Sequence, residues 1–378
     1  MKAIARVSPL QSNPVDCADL PSSNNTLREL RRRRRVIERV RPVAFGAVFA
    51  LVFYLALGVS AQGFDPLLPI RVLTHEASKA SEVIFYNIRL PRIATAAVVG
   101  ASLALAGAVM QNVLRNPLAS ASTLGVSQGA AFGAALAIVF FHAGMGADGN
   151  LGSAVAVTSP VIVTVCSFVF GVASGALVLA LSLLTRISSA TMILAGIAMG
   201  AMFTGGTAII QYFADDVKVA SIVYWTFGDL GRTGWNQIGA LTVALLAAFV
   251  YFYKNAWNYN AVANGTTTAT SLGVNVNAVL IVGMFAACLL SSIAVAFVGT
   301  IGFVGLIAPH LARHFVGNDH RQLLLASALT GSMLLIGAEI LSRVVIPPAV
   351  LPIGAITSFL GAPVFLYLVF KLSDRTKW

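Results

Sequence analysis

The sequence predicts an all-α polytopic membrane protein with ten transmembrane helices, and three observations carry that prediction. Of 378 residues, 57% are hydrophobic and 10% charged, with a mean hydropathy of +0.84; ordinary soluble domains carry roughly 25% charged residues. Apolar runs of about 20 residues, the length that crosses a bilayer core, recur along the chain. The basic residues then divide unevenly around those runs, 18 Lys and Arg on one side and seven on the other. Because Lys and Arg stay preferentially in the cytoplasm, the fuller side is expected to be cytoplasmic and both termini to lie there.

Residues 1–41 hold ten of the 25 Lys and Arg, including Arg31–Arg35, and show no apolar stripe. They read as a basic cytoplasmic tail, disordered or lying on the surface. A membrane domain over residues 42–371 follows, and residues 372–378 form a short cytoplasmic end. Its spans are expected near 42–61, 91–114, 118–141, 156–184, 191–213, 235–253, 278–298, 299–321, 323–341 and 354–370. The third and fifth are rich in Gly, Ala and Ser, a composition suited to packing on protein rather than lipid. Outer segments are expected at 62–90, 144–152 and 214–234, the last with a short helix. The longest internal polar stretch, 255–277, is expected in the cytoplasm as a coupling segment. Gly299, Gly302 and Gly305 open the eighth span at spacing three, which favours close helix approach on one face. That stretch ends in the polar run His310, Arg313, His314, Asp319, His320 and Arg321.

Composition also excludes functions. None of the six lysines follows a glycine, so there is no phosphate loop ending in Gly-Lys-Ser/Thr. Cys17, Cys166 and Cys288 are far apart and form no CxxC pair, so neither a disulfide framework nor a metal site is expected, and no cofactor. The net charge of +11 is concentrated in the tail of a membrane protein, which argues against nucleic acid. His310 and His314 could share a helix face, but no glutamate completes an HExxH zinc site and Arg313 between them repels a cation. An ion-coupled secondary transporter needs ionisable groups at membrane depth. Only Glu339 of 14 acidic residues lies within an expected span, near its outer end, with Arg343 four residues on to neutralise it. A transport chain with neither a proton relay nor a nucleotide loop is best explained if another subunit supplies the energy.

Six segments carry a resemblance: RLPR (Arg89–Arg92), GAVMQNVLRNPLASASTLGVSQGAAFG (Gly107–Gly133), LAGIAMG (Leu194–Gly200), WTFGDLG (Trp225–Gly231), GFVGLIAPHLARHFVGNDHR (Gly302–Arg321) and LPIGAITSFLGAPVFLYLV (Leu351–Val369). In this order they resemble the permease subunit of type II ABC importers for iron–siderophore chelates, haem and vitamin B12. The resemblance implies a vitamin B12 permease-like fold with ten helices per protomer and a homodimer in the inner membrane. Two cytoplasmic ATPase subunits and a periplasmic binding protein complete the assembly it implies. ATP hydrolysis would sit on the ATPase subunits, so no catalytic residue is expected here. By the same resemblance, Arg89, Arg92 and Arg343 match outer arginines that dock the binding protein, and Asn116, Leu118, Ser188 and Ser189 match the cytoplasmic gate. Met199, Phe203, Thr204, Thr207 and Gln211 match the pathway lining; Asn264, Gly265, Thr266, Ser271, Leu272 and Gly273 match the ATPase coupling turn. That turn usually resembles leucine-glycine-glutamate, whereas Asn264, Gly265 and Thr266 stand here, so the acid is missing. Among substrates a ferric siderophore is the first expectation, ahead of haem, cobalamin and molybdate.

Overall fold

A computed structural model describes residues 23–60, 63–143, 160–185, 189–347 and 349–375. Helix α1 runs Ser23–Gly58, and its apolar part, Val40–Gly58, is 19 residues long. Residues 23–41 are therefore helical, where a disordered or surface-lying tail is expected; residues 1–22 lie outside the described part. The reason is propagation. This stretch contains no Pro or Gly, is rich in Arg, Leu and Glu, and extends a helix already nucleated in the span.

Short helices α2 (Leu68–Leu73) and α3 (Lys79–Ile84) lead to α4 (Leu90–Val113) through a π-helical turn, Phe85–Arg89. Pro91 accounts for that turn, because it has no N–H to donate and its ring crowds the carbonyl four residues back. Helix α5 covers Val126–Phe140, eight residues shorter at its start than the third span expected from the sequence. Local side-chain bonds win over residues 118–125: Asn116 Oδ1 accepts from Leu118 N–H, Thr123 Oγ1 accepts from Ser120 N–H, and Gly125 turns left-handed at φ 76°. Helices α6 (Pro160–Thr185), α7 (Ser189–Phe213), α8 (Asp216–Thr226) and α9 (Trp235–Lys254) follow. The expected outer loop at 144–152 falls outside the described residues. Two short helices, α10 (Ala256–Ala263) and α11 (Thr266–Ser271), occupy the polar stretch before α12 (Val276–Val298). Helices α13 (Val304–Val316), α14 (His320–Val344) and α15 (Ile353–Arg375) complete the chain.

Seven of these helices are long and apolar enough to cross a membrane, among the described residues. Shorter apolar helices at Val126–Phe140 and Ile353–Tyr367, with α13, are consistent with the ten expected. The glycine triplet does not lie on one helix face: Gly299 turns at φ 85° after α12, Gly302 precedes α13, and Gly305 alone is helical. Phe303, left-handed at φ 64°, caps the start of α13.

Helix α4 is central. In its most apolar window 89% is buried inside the protein, against 11% for α1 and 17% for α9, which face outward. Its small residues permit backbone contact with two neighbours. A Cβ on Gly100 would lie 2.3 Å from Gly331 O of α14, and one on Gly107 would lie 1.8 Å from Gly305 O of α13. Ser332 Oγ adds a hydrogen bond of 2.6 Å to Ala97 O across the α4–α14 seam. Such close seams replace the hydrophobic drive that lipid removes.

Because those clashes are with backbone, Gly107→Val and Gly100→Val are each expected to destabilise the fold by at least about 2 kcal/mol. Thermal unfolding in detergent checks this. Gly239→Ala in α9, where a Cβ meets nothing within 4 Å, is the control and should leave the midpoint unchanged or higher.

Candidate functional site

One end of the bundle holds a neutral cluster of four charges. Arg92, in the first turn of α4, places Nη2 2.9 Å from Asp229 Oδ1 and Nε 3.1 Å from Glu339 Oε1. Arg343 Nε lies 3.2 Å from the same Glu339 oxygen, one turn on along α14. Ser342 Oγ donates to Glu339 Oε2 at 3.2 Å, and Arg343 Nη1 donates to Val59 O at 3.4 Å. Asp229 is itself fixed by its backbone, with N–H donating to Val298 O at 2.8 Å. The cluster therefore ties together the residue after α1, α4, α12, α14 and the turn before α9. Glu339 is 1% exposed and Arg343 9%. The Glu339–Arg343 pairing is the one read from helix spacing, whereas Arg92 and Asp229 join it from far along the chain. Of the three arginines expected to meet a partner, Arg89 alone makes no ion pair among the described residues, and it is half-buried.

Between α5, α7, the α12–α13 turn and α15 lies a cavity of about 510 Å³. Thr204, Thr207 and Gln211 of α7 line it, facing Ser127 and Gln128 of α5. Among its lining residues none is ionisable. Thr204 and Thr207 donate their hydroxyls to Gly200 O and Phe203 O of their own helix, leaving oxygen lone pairs toward the space. Met199 and Phe203 are not in this lining. Phe203 is 6% exposed and packs its ring 5.5 Å from that of Phe132, and Met199 packs on the buried cluster around Leu105. An α-helix turns about 100° per residue, so Thr204, Thr207 and Gln211 fall within about 60° of one another and Phe203 and Met199 lie to one side of that arc.

At the opposite end, the turn after α4 meets α10 and the start of α14. Asn112 Nδ2 donates to Tyr259 O at 3.2 Å, and Arg115 Nη2 to Val262 O at 2.8 Å. Asn260 clamps α14: its Oδ1 accepts from His320 N–H at 2.8 Å and pairs with His320 Nδ1 at 2.9 Å, while its Nδ2 donates to Asp319 Oδ1 at 2.8 Å. Arg313 Nη1 donates to Gln111 Oε1 at 2.7 Å. Tyr259 is fully buried against Gly283, and burial pushes its phenol far above the ordinary value, so the hydroxyl stays neutral. Asn116 and exposed Leu118 sit in the turn after α4; Ser189 opens α7, and Ser188 lies outside the described residues. Gly265 at φ 123° makes the turn between α10 and α11, preceded by Asn264 and followed by Thr266. Ser271, exposed Leu272 and Gly273, at φ 78°, close α11. The Asn260 clamp was missed from sequence, where an asparagine in a polar stretch carries no signal for a partner 60 residues away.

The profile of the FecCD transport family matches residues 48–371. A Methanocaldococcus jannaschii protein assigned as an ABC transporter permease is 44% identical over 339 residues, 89% of this chain and 96% of its own. The hemin transport system permease protein of Yersinia pestis is 34% identical over 338 residues, 89% of this chain and 98% of its own. A solved inward-facing structure assigned to the metal-chelate type of ABC transporter superposes with TM-score 0.75 at 29% identity, covering 88% of this chain and 99% of that one. The family match, these relatives and the shared fold together show the permease of an ABC importer of the metal-chelate type, a transport subunit. The chain belongs to the FecCD transport family.

Removing the shared carboxylate should expose the structural weight of the four-charge cluster. Glu339→Gln leaves two mostly buried guanidinium groups facing one remaining carboxylate, a loss of about 3 kcal/mol. Thermal unfolding should show the drop, and pairing Glu339→Gln with Arg343→Met should recover part of it.

Proposed function

We propose that this chain carries a ferric siderophore from a periplasmic binding protein to the cytoplasm, powered by two separate ATP-binding subunits on a homodimer of permeases. The observation that carries the substrate class is the uncharged, hydroxyl- and amide-lined cavity. A ferric siderophore is a polar, hydrogen-bonding chelate, which such walls can pass without an ionic trap. Haem is the second reading, supported by the hemin permease among the relatives. A porphyrin face favours aromatic and aliphatic walls, and Phe227 is the one aromatic residue in this lining.

In this reading the Arg92 end is the outer face and the Asn260 end the cytoplasmic one, with both termini inside. Arg89 makes the first contact with acidic lobes of the binding protein, since its guanidinium is not already neutralised. Arg92 and Arg343 stand behind it and shape the platform. Asn116, Leu118, Ser188 and Ser189 close the inner end of the path, and Asn264 to Thr266 with Ser271 to Gly273 receive the push of the ATPase. Exposed apolar side chains on α7, such as Leu194, Met202 and Ile209 at 64%, 56% and 64% exposure, supply the face for a second protomer.

The test is ATP hydrolysis by the permease–ATPase complex in proteoliposomes, with binding protein loaded in turn with ferric siderophore, haem and cobalamin. Stimulation by the siderophore-loaded protein alone is expected; stimulation by haem or cobalamin alone would reassign the substrate. Arg89→Glu should weaken binding-protein affinity about tenfold, near 1.4 kcal/mol, while leaving basal hydrolysis intact. Wild-type affinity in that variant would remove Arg89 from the docking surface.

A further inference from the structure

Asp229 stands apart from the other members of the four-charge cluster. Its side chain is 25% exposed, against 18% for Arg92, 10% for Arg343 and 2% for Glu339, so a partner in solution reaches it first. It is also the member carried by a turn, whereas Arg92 lies on α4 and Glu339 and Arg343 on α14. That turn, residues 226–229, leaves α8 at Phe227 and reverses at Gly228, φ 72°.

Hydrogen bonds make this turn one unit with two other pieces of chain. Asp229 N–H donates to Val298 O at 2.8 Å, Gly354 N–H donates to Phe227 O at 3.0 Å, and Thr300 Oγ1 donates to Thr226 O. The three pass backbone to backbone: a Cβ on Gly228 would lie 2.8 Å from Thr300 O, and one on Gly354 2.5 Å from the same oxygen. All three wall the 510 Å³ cavity, through Thr226, Phe227, Thr300 and Gly354. Phe227 also lines a smaller space of about 90 Å³ with Arg92, Asp229 and Glu339. One side chain is thus common to the cavity and to the charge cluster. The Asp229–Arg92 ion pair ties the unit to α4; farther on, Thr233 Oγ1 pairs with Thr95 Oγ1 and fixes the chain just before α9. Exchanging Asp229 on Arg92 for another carboxylate keeps the cluster neutral, and the displaced Asp229 turns its charge into water. Such an exchange avoids the unpaired buried charge that makes breaking an ion pair costly.

We infer that Asp229 is a latch on the cavity. A carboxylate of the binding protein, brought in by Arg89, displaces Asp229 from Arg92; the turn and the two pieces bonded to it swing away from α4, and Phe227 uncovers the cavity for the cargo. Asp229 is a positioning residue here, and Phe227 is the group that it positions. The inference rests on the reading of the Arg92 end as the outer, docking face.

The measurement is labelling of Ser358→Cys, in the cavity lining, by a membrane-impermeant thiol reagent. It uses the full transporter complex in proteoliposomes, with Cys17→Ala, Cys166→Ala and Cys288→Ala. Reagent and cargo-free binding protein are added outside; inverted complexes never meet the binding protein and add a constant background. Labelling should be slow without binding protein and rise about tenfold with it. Asp229→Asn and Phe227→Ala should each label at the fast rate without binding protein. Asp229→Glu, which keeps the charge, should stay slow until docking. Ser327→Cys, fully buried in α14, should resist the reagent throughout; its labelling in Asp229→Asn would mean unfolding, and Phe227→Ala then decides. A rate indifferent to bound binding protein, or Asp229→Asn or Phe227→Ala labelling at the slow rate, would overturn the inference and leave the docking reading standing. Failure of the binding protein to bind the complex would overturn both.

Discussion

The closeness of α4 to its neighbours is the constraint on which the remaining structure depends. Where Gly100 meets Gly331 and Gly107 meets Gly305, two backbones touch with no room for a methyl group. In lipid, helices gain little from hiding apolar surface, so intimate packing and buried hydrogen bonds must hold them. Both are present along this seam, with Ser332 bonded across it to Ala97 O. The seam is also fastened at its ends, by Arg92–Glu339 at one and by the Asn112–Tyr259 and Asn260–His320 bonds at the other. α4 and α14 are thus joined over their length, while α1, α7 and α9 show much of their surface outward.

Fastening by charge has a cost that decides its composition. Moving an unpaired guanidinium or carboxylate out of water is prohibitive, and a buried pair roughly breaks even. The Arg92, Asp229, Glu339, Arg343 cluster meets this condition by being neutral as a set and by adding hydrogen bonds from Ser342 and to Val59 O. Its gain is therefore in specificity: only one arrangement of five chain segments leaves no charge alone. The cavity follows the opposite rule. Its walls carry no ionisable group, so it can accept a polar chelate without binding it tightly.

Much of this was legible in the sequence. Hydropathy located the spans because lipid imposes a minimum length; the small-residue runs picked out α5 and α7, whereas the tightest seams lie between α4 and its neighbours α13 and α14. Where reading failed, a local or a distant interaction overruled the periodicity. The third span lost its first turns to Asn116, Ser120 and Thr123, whose side chains bond their own backbone. The glycines at 299, 302 and 305 keep helical spacing, yet the first is a turn, because a left-handed residue ends α12 there. Five candidate lining residues on α7 separated into three that face the cavity and two that pack inward, a distinction of helix phase that composition does not carry. Helix spacing found Glu339 and Arg343. Nothing local could attach Arg92, 247 positions earlier, to the same carboxylate.

An importer permease must open alternately to two sides, and a chain fastened in this way has little freedom in its middle. The motion is then carried by the helices around α4 and α14, with those two moving as one body. Spin-label distances test this most directly, with pairs at Ile88 and Leu341 for one end and at Arg115 and Arg321 for the other. They would be measured in the full transporter complex without nucleotide and with ATP trapped. The account predicts that both distances hold to within about 2 Å, the scale of ordinary packing adjustments at helix interfaces. A shift of one helical turn, about 5 Å, at either end would contradict it.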